Sequence, residues 1–204
     1  MLRRLGKYAG ARACRDFVTC SGDWLAERGR VDMMMFENPA WGWQAFSYTA
    51  VDMGLEDAEV FVARYQPDRV QRYFDELSGK RLALFSGYHY AFAGFNSTPK
   101  FLADTFSATL TYSHESNLLM VLRGRADIAL MTRSNLIDIQ RYDPKVKSQI
   151  MMSERVDQIY RHYALLRLDA PIKSQQFAQM MSRLRDNGQL SAIFAPYQID
   201  VVEM

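Results

Sequence analysis

Short apolar runs alternate along the chain with stretches in which apolar and polar residues recur at helical spacing, and each change of period is marked by a turn signal. Residues 12–19 read as a strand. Ser21-Gly22-Asp23 caps a short helix through Glu27, which Gly29 closes. Val31 to Phe36 is a buried strand, and Val60 to Arg64 is another. A short helix is expected over 69–77, then a strand over 81–85 that ends in Ser86-Gly87. Thr98-Pro99 supplies an N-cap and a first-turn proline for a helix over 98–106. Thr109 to Tyr112 reads as a strand, Ser116 to Arg123 as a helix ended by Gly124, and Ala126 to Met131 as the next strand. Tyr163 to Arg167 is the last strand. A helix over 174–186 is stopped by Asn187-Gly188, and a shorter one lies around 190–197. Strands separated by single helices predict an α/β fold.

One segment echoes another. A helix end, a Gly-Arg-x-Asp turn and an apolar strand occur at Gly29-Arg30-Val31-Asp32 and again at Gly124-Arg125-Ala126-Asp127, 95 residues on. The glycine serves as helix C-cap, and the aspartate can accept from turn amides before the strand enters the core. Gly-Arg-x-Asp alone is a common helix-to-strand turn; its doubling at domain-sized spacing implies two lobes built alike.

Composition narrows the classes. With 49% hydrophobic and 24% charged residues over 204 positions, the chain can bury one good core or two small ones. The net charge of +2 is spread without a run of one sign, which argues against a nucleic-acid binder. No apolar stretch reaches the length of a membrane span. Met1 to Lys7 leads into polar sequence, not into the apolar centre of a signal peptide, so taken literally the chain is expected in the cytoplasm. Cys14 and Cys20 are too few for a disulfide framework or a zinc site, and in a strand they stand too far apart to bond; they read as small buried hydrophobes. No metal or cofactor is expected.

The run Leu77 to Leu84, then Ser86-Gly87-Tyr88-His89-Tyr90, then the Gly124 to Asp127 turn and finally Ala178 to Leu190 with Arg185-Asp186-Asn187-Gly188 resembles the second half of a type II periplasmic binding protein, in order along nearly the whole chain. The nearest branch is the extracellular solute-binding family 3, the amino-acid-binding-like proteins. The resemblance implies two lobes that close on a ligand cleft: lobe one from residues 1–66 and 160–204, lobe two from 77–155, with hinge crossovers at 67–76 and 153–160. It also implies that the first strand and helix of lobe one are missing before residue 1, and a signal peptide with them. By resemblance the protein is periplasmic and serves a membrane permease of an ABC-type uptake system by binding a small polar solute.

Two departures bear on the ligand. The resemblance would place an arginine shortly before Phe46-Ser47 to clamp a ligand carboxylate, yet Glu37 to Ala45 contains none. An acid for the ligand amino group would fall on or beside Thr132. A simple α-amino acid is therefore not the expected ligand. Trp41 and Trp43 offer flat surfaces for a ring, an alkyl chain or a cation, with Asn38 beside them; core packing is the alternative. Ser86, Tyr88, His89 and Tyr90 follow a strand end, where open α/β sheets place their ligands, or else they pack at the lobe surface. Arg133 stands ready for an anion or for solvent. His114, Glu115 and Asn117 are either contacts or helix caps. His89, His114 and His162 could serve an enzyme on the same fold, a dehydratase for instance, but no nucleophile elbow, zinc-binding histidine pair or phosphate loop is present. A sensor domain of a signalling protein would share every one of these residues.

Overall fold

The computed structural model describes the backbone of residues 13–14 and residues 31–203. The expected helix over 23–27, the Gly29 turn, Cys20 and most of the strand over 12–19 lie outside the described residues, so the echoed turn is seen in its second copy alone.

The chain divides into two compact units. The first takes the residues up to Glu56 with Arg161–Phe194 and the segment from Asp200; the second takes Asp57–Tyr160 and Ala195–Ile199. Two of the passages between them, at Glu56/Asp57 and Tyr160/Arg161, fall inside long strands: β3, Thr49–Arg64, and β7, Ile150–Leu166.

In unit one, β1 (Ala13–Cys14) runs parallel to β2 (Met33–Glu37), and β2 pairs antiparallel with the end of β7 through Met33–Leu166 and Met34–Leu165. The register shifts between Met34 and Glu37, where Phe36 takes φ 66°. That left-handed residue turns the ring against His162 and Phe194, at 5.5 and 6.1 Å. The short strand β8 (Asp200–Val201) pairs antiparallel with the first half of β3 at Leu55 and Glu56.

Unit two is built on a small sheet. Strands β4 (Leu82–Phe85), β5 (Ala108–Thr111) and β6 (Ile128–Thr132) are parallel with β4 in the middle, and the second half of β3 pairs antiparallel with β6. Helix α1 (Pro99–Phe106) carries β4 over to β5, and α2 (His114–Leu122) carries β5 to β6. Side chains alternate along a strand, and here both faces are covered. Val60, Val62, Ala83, Ala129 and Met131 enter one core with Leu118 and Val121 of α2. Phe61, Ala63, Leu82, Leu84, Ile128 and Leu130 enter the other with Leu102 of α1, Phe74 and Tyr90.

The end of α2 shows why its glycine sits where it does. Gly124 takes φ 68°, its amide donates to the Val121 carbonyl at 3.0 Å, and the Arg125 amide donates to Met120 at 2.8 Å. This Schellman pattern absorbs two carbonyls that the helix leaves open. Asp127 then accepts from the Arg81 amide at 2.8 Å and pairs with the Arg81 guanidinium at 2.9 Å, which ties the turn to the start of β4.

Three expected elements are corrected and one helix is added. The strand over 60–64 begins at Thr49, eleven residues earlier. The helix over 69–77 is a single 3-10 turn, Gln71–Phe74, with Phe74 as its one buried side chain. Arg133 opens a helix for which the pattern gave no expectation, α3 (Arg133–Tyr142), followed by α4 (Lys145–Gln149). The strand over 163–167 is the tail of the 17-residue β7, whose charged residues hid its length. Helix α5 (Ser174–Asp186) has the expected bounds. Its Asn187-Gly188 stop has φ 74° at Gly188, and α6 (Gln189–Phe194) follows.

Candidate functional site

In unit two, the C-terminal ends of β4, β5 and β6 lead into Ser86–Tyr90, into the start of α2 and into the start of α3. Parallel neighbours end on the same side of a sheet, so the strands bring these three segments to one edge.

The segment after β4 is tied down by aromatic packing and main-chain bonds. The Ser86 amide donates to the Thr111 carbonyl at 2.7 Å. Tyr90 is fully buried, and its hydroxyl accepts from the Phe85 amide at 2.8 Å. Tyr88 is half-buried and lies 4.6 Å from the Phe85 ring, 5.5 Å from His114 and 6.3 Å from Tyr90. His89 stands 3.3 Å from the Ser97 hydroxyl, its carbonyl accepts from Gln158 at 2.6 Å, and burial lowers its pKa.

At the start of α2, Ser113 is the N-cap: its hydroxyl accepts from the Ser116 amide at 3.2 Å. His114 is therefore a first-turn residue and not the cap. It is buried, its ring lies 4.9 Å from Phe85, and neither ring nitrogen has a hydrogen-bond partner. Burial holds its pKa down at about 4, against a smaller upward pull from Glu115, so the ring is neutral at pH 7. Asn117 is buried and accepts from the Thr111 hydroxyl at 2.7 Å.

At the start of α3, Thr132 is the N-cap and accepts from the Asn135 amide at 3.3 Å. Asp57 of β3 is a second cap. One of its carboxylate oxygens accepts from the Ser134 amide at 3.3 Å and from the Ala58 amide at 2.7 Å, and the other accepts from the Ser134 hydroxyl. Burial raises the Asp57 pKa, opposed by Ser134 and by the charge of Arg133. Arg133 thus stands at a helix start beside a carboxylate that its own chain supplies.

Two residues further along β3, the Glu59 backbone is the ladder partner of Thr132. Its side chain is 2% exposed and one oxygen, Oε2, has no hydrogen-bond partner. Burial, then the negative charges of Asp57 and Asp157, raise its pKa well above the usual range for a glutamate. Asp157 of β7 is itself satisfied, since it accepts from the Ala91 and Phe92 amides at 2.7 and 2.9 Å. Tyr90 and Tyr160 are near enough to Glu59 that its charge, added to their own burial, pushes both hydroxyls well up. Unit two therefore holds two buried acids, Asp57 and Glu59, a part-buried third, Asp157, and three tyrosines at or beside this strand edge.

The residues expected in unit one are placed differently. Asn38 donates to the Arg161 carbonyl at 3.0 Å and accepts from the Ala40 amide at 2.9 Å. Trp43 is fully buried, and its indole N–H donates to Glu37 at 3.0 Å while Phe46 and Tyr48 pack edge-on. Trp41 packs against this cluster and is half-buried. The structure brings Tyr88, Tyr90 and His114 together around Phe85, and sets Thr132 and Arg133 beside Asp57 and Glu59. Sequence reasoning missed Asp57, Glu59, Asp157 and Tyr160. The Asp57–Glu59 spacing of two, directly before the expected strand at Val60, is the signal that extending that strand backwards would have caught.

Among the described residues no group of His, Cys, Asp and Glu has the arrangement to hold a metal ion, and no helix is long and apolar enough to cross a membrane.

Comparison with protein-family models and with curated proteins finds no match. Solved structures do match. The GluR0 ligand-binding core from Nostoc punctiforme in complex with L-glutamate is 15% identical, with 83% of this chain and 74% of that one covered at a TM-score of 0.61. The substrate-binding protein of an amino acid ABC transporter is 12% identical, with 90% and 78% covered and a TM-score of 0.63. A histidine kinase sensor domain with similarity to periplasmic binding proteins is 19% identical, with 86% and 73% covered and a TM-score of 0.59. At such identities the likeness defines the fold: this chain has the α/β fold of the type II periplasmic binding proteins, as its motif order implied.

Proposed function

We propose that this chain binds a small polar solute without transforming it, as the periplasmic solute-binding component of an ABC-type uptake system that delivers to a membrane permease. The observation that carries the reading is the edge formed by the ends of β4, β5 and β6, where buried polar atoms that lack partners, Glu59 Oε2 and the His114 ring nitrogens, lie among aromatic side chains. Leaving such atoms unpaired costs about 1–3 kcal/mol each, a cost that a ligand of matching polarity relieves. Tyr88, His89, His114 and Thr132 are the proposed contacts from the expected set, with Glu59 added.

Catalysis is not part of the reading. The hydrogen bonds of Asp57 and Asp157 go to main-chain amides and the Ser134 hydroxyl, which engages both carboxylates in holding the local backbone. A thermal-shift panel of amines, carboxylates, amino acids and neutral polyols tests the proposal. A ligand at 100 times its Kd adds about 2.7 kcal/mol. Product formation from any hit would overturn the binding-only reading.

A sensor role is the second reading, favoured by the likeness to a histidine kinase sensor domain. Sequence flanking the chain decides between the two, because a fused signalling domain would replace the permease as partner.

A further inference from the structure

We infer that the solute is an organic cation, a primary amine or guanidinium, whose positive head is met by the free carboxylate oxygen of Glu59. The inference rests on the proposed binding role and names the ligand class of that same site. Three observations carry it. First, of the three acids gathered here in unit two, the buried Asp57 and the part-buried Asp157 have hydrogen-bond donors for both of their oxygens, while Glu59 Oε2 has none although the residue is 2% exposed. An ionised Glu59 buried without a partner for this oxygen would cost several kcal/mol, a cost that a donor, best a charged one, offsets.

Second, the charges acting on Glu59 are those of Asp57 and Asp157, both negative, and Tyr90 and Tyr160 stand beside it. A field of one sign lined with aromatic rings suits an alkylammonium or guanidinium group. Third, the place where an anion would be most welcome is taken. The α3 start offers open amides and the positive end of a ten-residue helix, but the carboxylate of Asp57 accepts there and offsets Arg133. A ligand carboxylate is therefore not required at this edge.

The groups that titrate around Glu59 are Asp57 on its own strand, Asp157 and Tyr160 on β7, and Tyr90 after β4; Arg133 acts on Asp57 and Arg155 on Asp157. Glu59 holds its proton above the ordinary carboxylate range while the site is empty, so a cation that binds the ionised form must release that proton.

Calorimetric titration of the 204-residue chain tests this with putrescine, tyramine and agmatine, each beside a counterpart: 1,4-butanediol, tyrosol and arginine. The expected result is that at least one amine binds and that neither of the two alcohols does better than a tenth of its affinity. Glu59→Gln should weaken the amine at least about thirty-fold, the low end for removing one side of a buried charge pair. Heats measured in buffers of different ionisation enthalpy should show proton release on the unaltered chain, a readout that does not depend on how the variant folds. Silence from all amines while a neutral or anionic solute binds overturns the cation assignment and leaves the binding role standing. So does amine binding that is unchanged in Glu59→Gln, or that releases no proton at any pH from the ordinary glutamate value of 4.5 up to 8. If no solute of any class binds, the binding role falls and the inference with it.

Discussion

His114 should make unit two sensitive to mild acid. Its ring is buried against Phe85 and Tyr88, both nitrogens lack partners, and burial lowers its pKa from the ordinary 6.5 to about 4. Because the folded value is the lower one, the unfolded chain binds the proton first. The folded state then loses stability as pH falls from 6.5 towards 4, and the His114 contribution is constant above that window. At 1.36 kcal/mol per unit, the loss is about 2 kcal/mol at pH 5 and about 3 kcal/mol at pH 4. Phenylalanine has nearly the same shape, keeps the ring contacts and cannot take a proton, so His114→Phe should match or exceed the parent at pH 7.5 and outlast it increasingly below pH 6.5. Urea melts followed by far-UV circular dichroism report on the helices of unit two. Tryptophan fluorescence does not, because Trp24, Trp41 and Trp43 all precede residue 57. Parallel stability profiles for the two proteins between pH 7.5 and 4.5 would refute the reasoning and place the His114 ring within reach of water.

Glu59 carries the opposite sign. Its folded pKa lies above the ordinary 4.5, so the folded state keeps the proton longer and stability falls as pH rises through that range; Glu59→Gln should flatten this slope in the same melts and raise the melting temperature at pH 8. Trp43→Phe removes the donor to the buried Glu37 oxygen and should cost about 1–3 kcal/mol, read by urea denaturation with the fluorescence of Trp41 as signal. Asp57→Ala leaves the Ser134 amide and hydroxyl at the α3 start without this acceptor; about 0.5–2 kcal/mol is expected, with faster hydrogen exchange confined to the first turn of α3. Gly124→Ala meets no atom within 4 Å, so its cost, about 1 kcal/mol by thermal melting, comes from the backbone at φ 68° alone.

The fold was legible where local chemistry and packing agree. Thr98-Pro99, the Gly124 turn and Asn187-Gly188 each mark a boundary by the backbone conformation they allow, and the structure places helix ends within two residues of all three. Patterning failed where burial on both faces or exposed charge hides the period. β3 alternates acids with Ala58 and Val60, and all of these are buried, so no polar face marks it as a strand. In β7, Glu154, Arg155 and Asp157 break up the apolar run that would have revealed its length. Helix α3 presents Leu136 and Ile139 as its apolar residues packed on a core, too few to announce it among seven polar neighbours. The candidate site was legible in part. Loops after strand ends pointed to Tyr88, Tyr90, His114 and Thr132, which the structure sets on one edge of unit two. The acids of β3 and β7 escaped notice because a carboxylate inside a strand reads as a solvated position until the neighbouring strands are in place.

The double cap on α3 also changes how selectivity should be understood. A carboxylate held on the chain itself acts as a tethered competitor, present at the helix start at an effective concentration in the millimolar range or above. On the proposed reading a free anion would have to displace it from Ser134 and leave the buried Asp57 short of two donors, so anions would be turned away because their place is already filled, with no bulky gate needed. The same arrangement makes preference easy to change. Shortening one side chain, Asp57, would vacate the Ser134 amide at the α3 start beside Arg133, and the proposed cation site would become a candidate site for small carboxylates without any change to the rest of the edge.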